Sequence, residues 1–343
     1  MRINELNITL PKKNDEEFLK INFDSLFSYD FASKQVYEFD IMDLETIIDE
    51  ENYQSVLFDI TRSIDNKQKI ITINKSMAEP IFLIHKLKEN ETIFSNSLKI
   101  KVAKDIKASL VEVFVNSCQN SFYGVNRKIE LKENSSLEYV KIQDISASNS
   151  MIFSLATKQK DSSNLEISNF EYGNGFIVNS FENIIHSEFA NYELNGLVKL
   201  QNEATTSNLI KTIHNEKSSI SNINYKHTLK DSSKAVFKAK SIVNETALFS
   251  KAFQNCNTIL LSDDATIFAQ PHLEIYIDEL EASHGTTTGS LDKEQLLYLQ
   301  SRGISKDKAY EMLLSAFENK IVDNIKNTII KEFVQNYKRD KYV

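Results

Sequence analysis

Asn134-Ser-Ser-Leu-Glu-Tyr-Val, Ser163-Asn-Leu-Glu-Ile-Ser-Asn-Phe, Asn191-Tyr-Glu-Leu-Asn-Gly-Leu and Ser219-Ile-Ser-Asn-Ile-Asn-Tyr share one wording, a polar turn running into an alternating strand. Ser232-Ser-Lys-Ala-Val-Phe, Thr246-Ala-Leu-Phe and Asp264-Ala-Thr-Ile-Phe continue the series. With Ser136, Asn164, Ala190 and Ser218 as turn markers the steps are 28, 26 and 28 residues. From Ser218 through Ser233, Ala247, Ala265 and Ala282 they shorten to 15, 14, 18 and 17. A period near 28 with a half-period near 14 predicts coils of a β-solenoid, each strand stacking on the next coil. A Greek-key sandwich would turn every 8–12 residues or so. Glycine is scarce, at 7 residues, so Asn and Ser are expected at the corners, where Asn tolerates left-handed backbone.

Upstream, Pro80-Ile-Phe-Leu-Ile-His and Ser109-Leu-Val-Glu-Val-Phe-Val read as strands, being rich in β-branched and aromatic residues. Residues 1–78 read as a small mixed region. Within it, Asp40 to Glu51 holds six acidic residues and no basic one, with Ile41, Leu44, Ile47 and Ile48 at helical spacing. That pattern predicts a surface helix with one solvated acidic face.

Downstream, Leu273, Ile275 and Ile277 alternate with polar residues and predict a half-buried strand. Ser283-His284-Gly285 then predicts a sharp turn presenting the imidazole, because glycine permits conformations that a side chain forbids. Asp292 is placed to cap a helix over 292–300, and Gly303 to stop it. Ser305 is placed to cap a second, long helix with a stripe of Ala309, Met312, Leu313, Ala316, Phe317, Ile321 and Ile325. Lys338, Arg339 and Lys341 fall near its end, where cations favour the helix dipole. This tail is expected either to cover the open end of the solenoid or to dock a partner, with Phe317 and Ile321 as partner-binding candidates. The reading divides the chain into an N-terminal region (1–78), a mainly β solenoid core (79–290) and a helical domain (291–343).

The net charge of −8 argues against nucleic acid, whose phosphates need a basic footprint, and against an anionic membrane surface. Two cysteines, Cys118 and Cys256, are too few for a disulfide framework and too far apart for a local zinc knuckle. No run approaches the roughly 18 apolar residues of a membrane span. The start, Met1-Arg-Ile-Asn-Glu, lacks the apolar stretch of a signal peptide, so the cytoplasm is the expected compartment.

Enzyme signatures are missing: neither a Gly-x-x-x-x-Gly-Lys-Ser/Thr loop nor Gly-x-Ser-x-Gly, His-Glu-x-x-His or Cys-x-x-Cys occurs. Asp263-Asp264 could be read as the carboxylate pair of a β-helix carbohydrate-active enzyme, but neighbours on a strand face opposite ways. On residue chemistry alone His284 is either a structural histidine held by a backbone hydrogen bond or a site residue. On residue chemistry alone Cys256 reads as a small buried apolar residue, and Cys118 as core. His85, His186, His214, His227 and His272 form no local metal pair.

The order strand, Ser283-His-Gly-x-Thr-x-Gly, helix, together with Pro271-His-Leu-Glu-Ile and Lys230-Asp-Ser-Ser-Lys-Ala-Val-Phe, resembles the SufB/SufD family of iron–sulfur cluster assembly proteins, and its SufD-like members most. The resemblance is carried by texture over residues 80–337 and by motifs over 225–317; Glu17-Phe-Leu-Lys-Ile is a faint echo of an N-terminal family motif without its tryptophan. It implies a right-handed parallel β-helix and a non-catalytic scaffold. It implies two partners: a SufC-like ABC ATPase on the C-terminal helices, and a SufB-like chain on the last strands. It also implies that His284 serves an iron–sulfur cluster formed transiently with a partner that supplies the other ligands, none being bound by the chain alone. A SufB-like homodimer using Cys256 itself stays open beside it; Ala282 stands where many SufD-like proteins carry a cysteine.

Overall fold

The computed structural model describes residues 1–12, 14–36, 39 and 44–342, with side chains up to residue 337. The chain begins with α1 (Asp24–Ser28), β1 (Ser33–Val36), β2 (Glu45–Ile48), α2 (Leu57–Ile64) and β3 (Lys67–Ile73). Winding continues through β4 (Ile81–Leu87), β5 (Thr92–Val102), β6 (Lys107–Asn116), β7 (Phe122–Leu131) and β8 (Ser136–Asp144). The middle coils are β9 (Ser150–Gln159), β10 (Asn164–Glu171), β11 (Phe176–Ile185), β12 (Asn191–Leu200) and β13 (Thr205–His214). The last are β14 (Ile220–Leu229), β15 (Lys234–Val243), β16 (Lys251–Leu260), β17 (Thr266–Ile275) and β18 (Glu281–Gly289). Three helices close the chain: α3 (Lys293–Ser301), α4 (Lys306–Val322) and α5 (Thr328–Tyr342).

The architecture is a parallel β-solenoid. Among the described residues, odd-numbered strands from β3 to β17 stack into one sheet, joined at its start by β1 and β2. Even-numbered strands from β4 to β18 form a second, eight-stranded sheet. Each coil therefore contributes one strand to each sheet, and strands pair only with the coil before and after. Ser136, Asn164, Asn191, Ile220, Lys251 and Glu281 fall in one lateral register, at steps of 27 to 31 residues. The period read from the turn phrases is this register.

The corners follow the chemistry of left-handed backbone. Asp105, Asn134, Ser162 and Ser218 mark one edge with φ between +56 and +60, and Asn120, Asn202 and Asp231 the other with φ between +54 and +59. Asn, Asp and Ser accept this conformation at modest cost, which is how the solenoid turns with few glycines. Gly196 has a different task. A Cβ there would lie 2.1 Å from the Tyr225 ring on the next coil, so the missing side chain makes room for that ring.

Three large apolar clusters hold most of the fold among the described residues, because the middle coils of each sheet are covered on both faces. Leu137, Tyr139, Leu165, Ile167, Tyr192, Leu194, Ile223 and Tyr225 belong to the interior between the sheets. The N-terminal region packs Phe18, Phe23, Phe27, Leu57 and Ile60 against Phe122, Ile152, Val178 and Leu209 on the outside of the first sheet. Ile321, Val322, Ile325, Ile330 and Val334 cover Val113, Ile142, Phe170 and Leu197 on the outside of the second. Burial on both faces explains strands such as β7, whose residues are buried almost without alternation.

Three expectations are corrected here. The acidic stretch is not a helix where it is described: Glu45–Ile48 is a strand antiparallel to β3, while residues 40–43 lie outside the described residues. The β-edge of the first sheet, hungry for a partner strand, outweighs the helical spacing of four apolar residues. The tail does not cap the open end of the solenoid but lies along the outer face of the second sheet, where its apolar stripe has a wide surface to bury. Nor is it one helix. The Glu138 carboxylate accepts the backbone N–H groups of Lys326 and Asn327 at 2.6 and 3.0 Å. Asn327 Oδ1 in turn accepts those of Ile329 and Ile330, so a new capped helix starts there. The side chains of Lys338, Arg339 and Lys341 lie outside the described residues.

Candidate functional site

The solenoid ends on two strands with one neighbour each, β17 and β18. Past them the stack is open, and this terminal coil carries the motif residues. Ser283, His284 and Gly285 are not a turn: all three lie within β18, opposite Phe253, Gln254 and Asn255 of β16. A Cβ on Gly285 would meet nothing nearer than Asn255 Oδ1 at 3.9 Å. An edge strand with nothing packed over it tolerates glycine and threonine, so the glycine signal read as a turn was a signal of an uncovered strand.

Register fixes where the imidazole projects. Residues paired in a parallel ladder share a face, and successive residues alternate. Gln254 and Cys256 are buried in the interior, so His284 and Thr286, their partners, stand on the continuation of the interior row. With no further coil beneath, His284 is exposed. Among the described residues it makes no hydrogen bond or ion pair. It is a free imidazole at the mouth of the solenoid.

On the other strand, His272 points outward, 3.3 Å from the Glu274 carboxylate. The hydrogen bond from Lys240, 2.6 Å away, holds that carboxyl below its ordinary value, with His272 adding to the effect. His272 and His284 therefore do not share a face, although only 12 residues separate them.

Cys256 is fully buried one coil inside the mouth. Its sulfur lies 3.6 Å from His227 Nδ1, a neighbour that sequence reading left aside. The signal was present: the two residues are 29 apart, one coil. Burial pushes the Cys256 thiol up to about 12 and the His227 imidazole down to about 3. Both groups are neutral at pH 7, so this is not a thiolate–imidazolium pair, and a reactive cysteine needs the thiolate. Cys256 should therefore stay unmodified by a thiol reagent in the native chain and react only on denaturation. Labelling within minutes under native conditions would show that the coil opens at that point.

Phe317 and Ile321, the partner-binding candidates, divide. Ile321 is fully buried against the second sheet and is core, because the tail lies along the sheet instead of projecting from its end. Phe317 is half-buried, with the Lys226 ammonium 3.8 Å from its ring centroid. The apolar side chains that α3 and α4 do leave in solvent are Leu297, Tyr298 and Met312, 65%, 58% and 42% exposed. Asp263 and Asp264 occupy the exposed turn between β16 and β17, not a strand.

Among the described residues, no three His, Cys, Asp or Glu side chains converge so as to hold a metal ion. Of the two imidazoles on the terminal coil only His284 stands on the interior row, and the thiol one coil inside it, Cys256, is buried and protonated. No helix among them is long and apolar enough to cross a membrane.

Comparison with known proteins gives the family of the chain. The family described as SUF system FeS cluster assembly, SufBD core domain, matches residues 84–317. The chain is 23% identical over 306 residues to the iron–sulfur cluster assembly protein SufD of Escherichia coli, covering 87% of this chain and 72% of that one. It is 27% identical to the chloroplastic protein ABCI7 of Arabidopsis thaliana, covering 66% of this chain and 49% of that protein. With SufD of Plasmodium falciparum it shares 31% over 156 residues, 43% of this chain and 11% of that one. The chain thus spans nearly three quarters of the first of these relatives and half or less of the other two. A match over most of the solenoid, through the coil that carries His284 and on into α4, places the chain in the SufB/SufD family of iron–sulfur cluster assembly proteins.

Proposed function

We propose that the chain is a non-catalytic, SufD-like scaffold subunit whose terminal coil pairs with a SufB-like partner and whose helices engage a SufC-like ABC ATPase. The observation that carries this reading is the open edge at β18 with an unpartnered His284 at its middle. An edge strand presents unpaired backbone donors and acceptors and is a ready surface for strand addition. A SufB-like chain adding its own terminal strands there would bring its ligands to His284. The iron–sulfur cluster is the cargo of that joint site, and the other ligands belong to the partner, since soft thiolates dominate such sites.

The homodimeric SufB-like reading is weaker, because it needs Cys256 as a thiolate and the thiol is buried and raised to about 12. The carbohydrate-enzyme reading has no acid/base couple to offer, with Asp263 and Asp264 side by side in an exposed turn.

Engagement of the ATPase is assigned to the exposed apolar side chains of α3 and α4. Leu297→Asp and Tyr298→Asp should release the ATPase in a pull-down with an unchanged melting temperature, because neither side chain is buried in the chain itself. Ile321→Asp should instead destabilise the docking of α4 and α5 by about 3–5 kcal/mol, the range for a large core loss. Retention of the ATPase by both surface variants would show that the helices serve the solenoid alone.

A further inference from the structure

The outer face of the second sheet changes character at one coil. Val113, Ile142, Phe170 and Leu197 form a lateral row under the terminal helices. The next three residues of that row are Lys226, Asn257 and Thr287. Here α4 no longer closes on the sheet, and a cleft of about 570 Å³ opens between them. Lys226 is only 6% exposed, yet among the described residues its ammonium has no hydrogen bond and no carboxylate partner. Its one contact of note is the Phe317 ring, 3.8 Å from its nitrogen to the centroid. A cation–π contact offsets only part of the cost of burying a charge. Lys320, a second cation on α4, lines the same cleft. The lining carboxylate, Asp292, accepts the N–H groups of Glu294 and Gln295 at 2.8 and 3.3 Å and is committed to capping α3. The nearby Glu318 carboxylate takes Lys199 and Thr228. Thr287 Oγ1 donates to Asn257 Oδ1 at 2.6 Å, which engages the Asn257 carbonyl oxygen and leaves its NH2 group to donate.

We propose that this cleft is a binding site for a small organic oxyanion, bearing phosphate or carboxylate, with Lys226 as its central cation and Asn257 and Lys320 as further donors. The size is that of a small-molecule pocket, for which a few hundred Å³ is usual. Two unneutralised cations at its floor and wall select negative charge. The protonation of Lys226 fits the same site. Burial, and then the charge of Lys320, hold it down to about 8. An anion bound beside it raises that value, so binding near pH 8 to 9 takes up a proton.

Titration calorimetry of the full chain with inorganic pyrophosphate and with citrate tests this, at pH 8.5 in buffers of different ionisation enthalpy. Binding of at least one probe with proton uptake is expected. Lys226→Met, which keeps the buried stem, and Lys320→Ala, on an exposed position, should each weaken it by tenfold or more. Lys226→Met should melt no lower than the parent chain, since an unpaired charge has been removed. Absence of binding by both probes overturns the proposal, as does binding unchanged in either variant. Loss of a protein partner in Lys226→Met, without oxyanion binding by the free parent chain, equally overturns it and makes Lys226 a docking residue for an acidic partner segment.

Discussion

Glu112→Ala should destabilise the chain by about 3–5 kcal/mol, the largest loss expected from any single substitution of a charged residue in the solenoid. Glu112 is fully buried and sits at the centre of a cluster spanning three coils. Arg127 Nε donates to both carboxylate oxygens at 3.0 and 2.9 Å, Tyr139 donates at 2.5 Å, and His85 Nε2 lies 2.6 Å away. The guanidinium also bonds the carbonyls of Asn96 and Asn126, at 3.1 and 2.7 Å. Removing the carboxylate strands the charge of Arg127 in the interior. Glu112→Leu combined with Arg127→Met should recover most of the loss, because an apolar pair of similar volume avoids both desolvation penalties. Burial raises the carboxyl of Glu112, but the Arg127 charge and His85 outweigh it and hold the group well below the ordinary carboxylate range. A folded value below the unfolded one gives stability that is complete above the unfolded value of about 4.3 and fades as pH falls beneath it. The stability gap between the parent chain and Glu112→Ala should therefore be constant from pH 6 to 8 and shrink below about pH 4. Urea titrations at pH 7 and pH 3.5 check both points. A gap unchanged at the lower pH would mean that packing, and not charge, is what Glu112 contributes.

The second large effect is on cargo. His284→Ala should leave the melting temperature unchanged and assembly with a SufB-like partner and a SufC-like ATPase intact, while iron bound by the assembled complex falls by about tenfold or more, the scale of losses at metal sites. Among the described residues the exposed imidazole has no partner to lose, so no stability term attaches to it; a buried structural histidine would have cost on the order of 1–3 kcal/mol. Melting, co-purification and iron content on one preparation separate the two. Normal iron loading in the assembled variant would remove His284 from the cluster site, and early melting would make it structural.

How much of this was legible in sequence depended on the range of the interaction involved. Corner residues such as Asn134, Ser162 and Ser218 are specified by their own φ, so the turn phrases gave the coil period directly. The caps at Asp292 and Ser305 were equally local, each side chain accepting N–H groups within three residues. What was not legible arises between coils. The pairing of Cys256 with His227, or of His85 with Glu112, becomes visible only once residues 27 to 29 apart are taken as neighbours. Gly285 was misread because a glycine means one thing in a corner and another on an uncovered edge. The break at Asn327 was hidden because it depends on Glu138, 189 residues away. Whether the tail capped the end or covered a side was likewise decided by Val113, Phe170 and Leu197, whose outward faces sequence alternation does not distinguish from the interior.

The account rests on β18 being the strand that a partner completes. In a parallel edge strand about half the backbone N–H groups point away from the sheet and stay in solvent. Amide hydrogen exchange over residues 281–289, compared between the free chain and its complex with a SufB-like partner, reports on those groups directly. The account predicts fast exchange at alternate positions around His284 in the free chain and marked slowing of them in the complex. A stable complex in which these amides exchange as fast as in the free chain would contradict it.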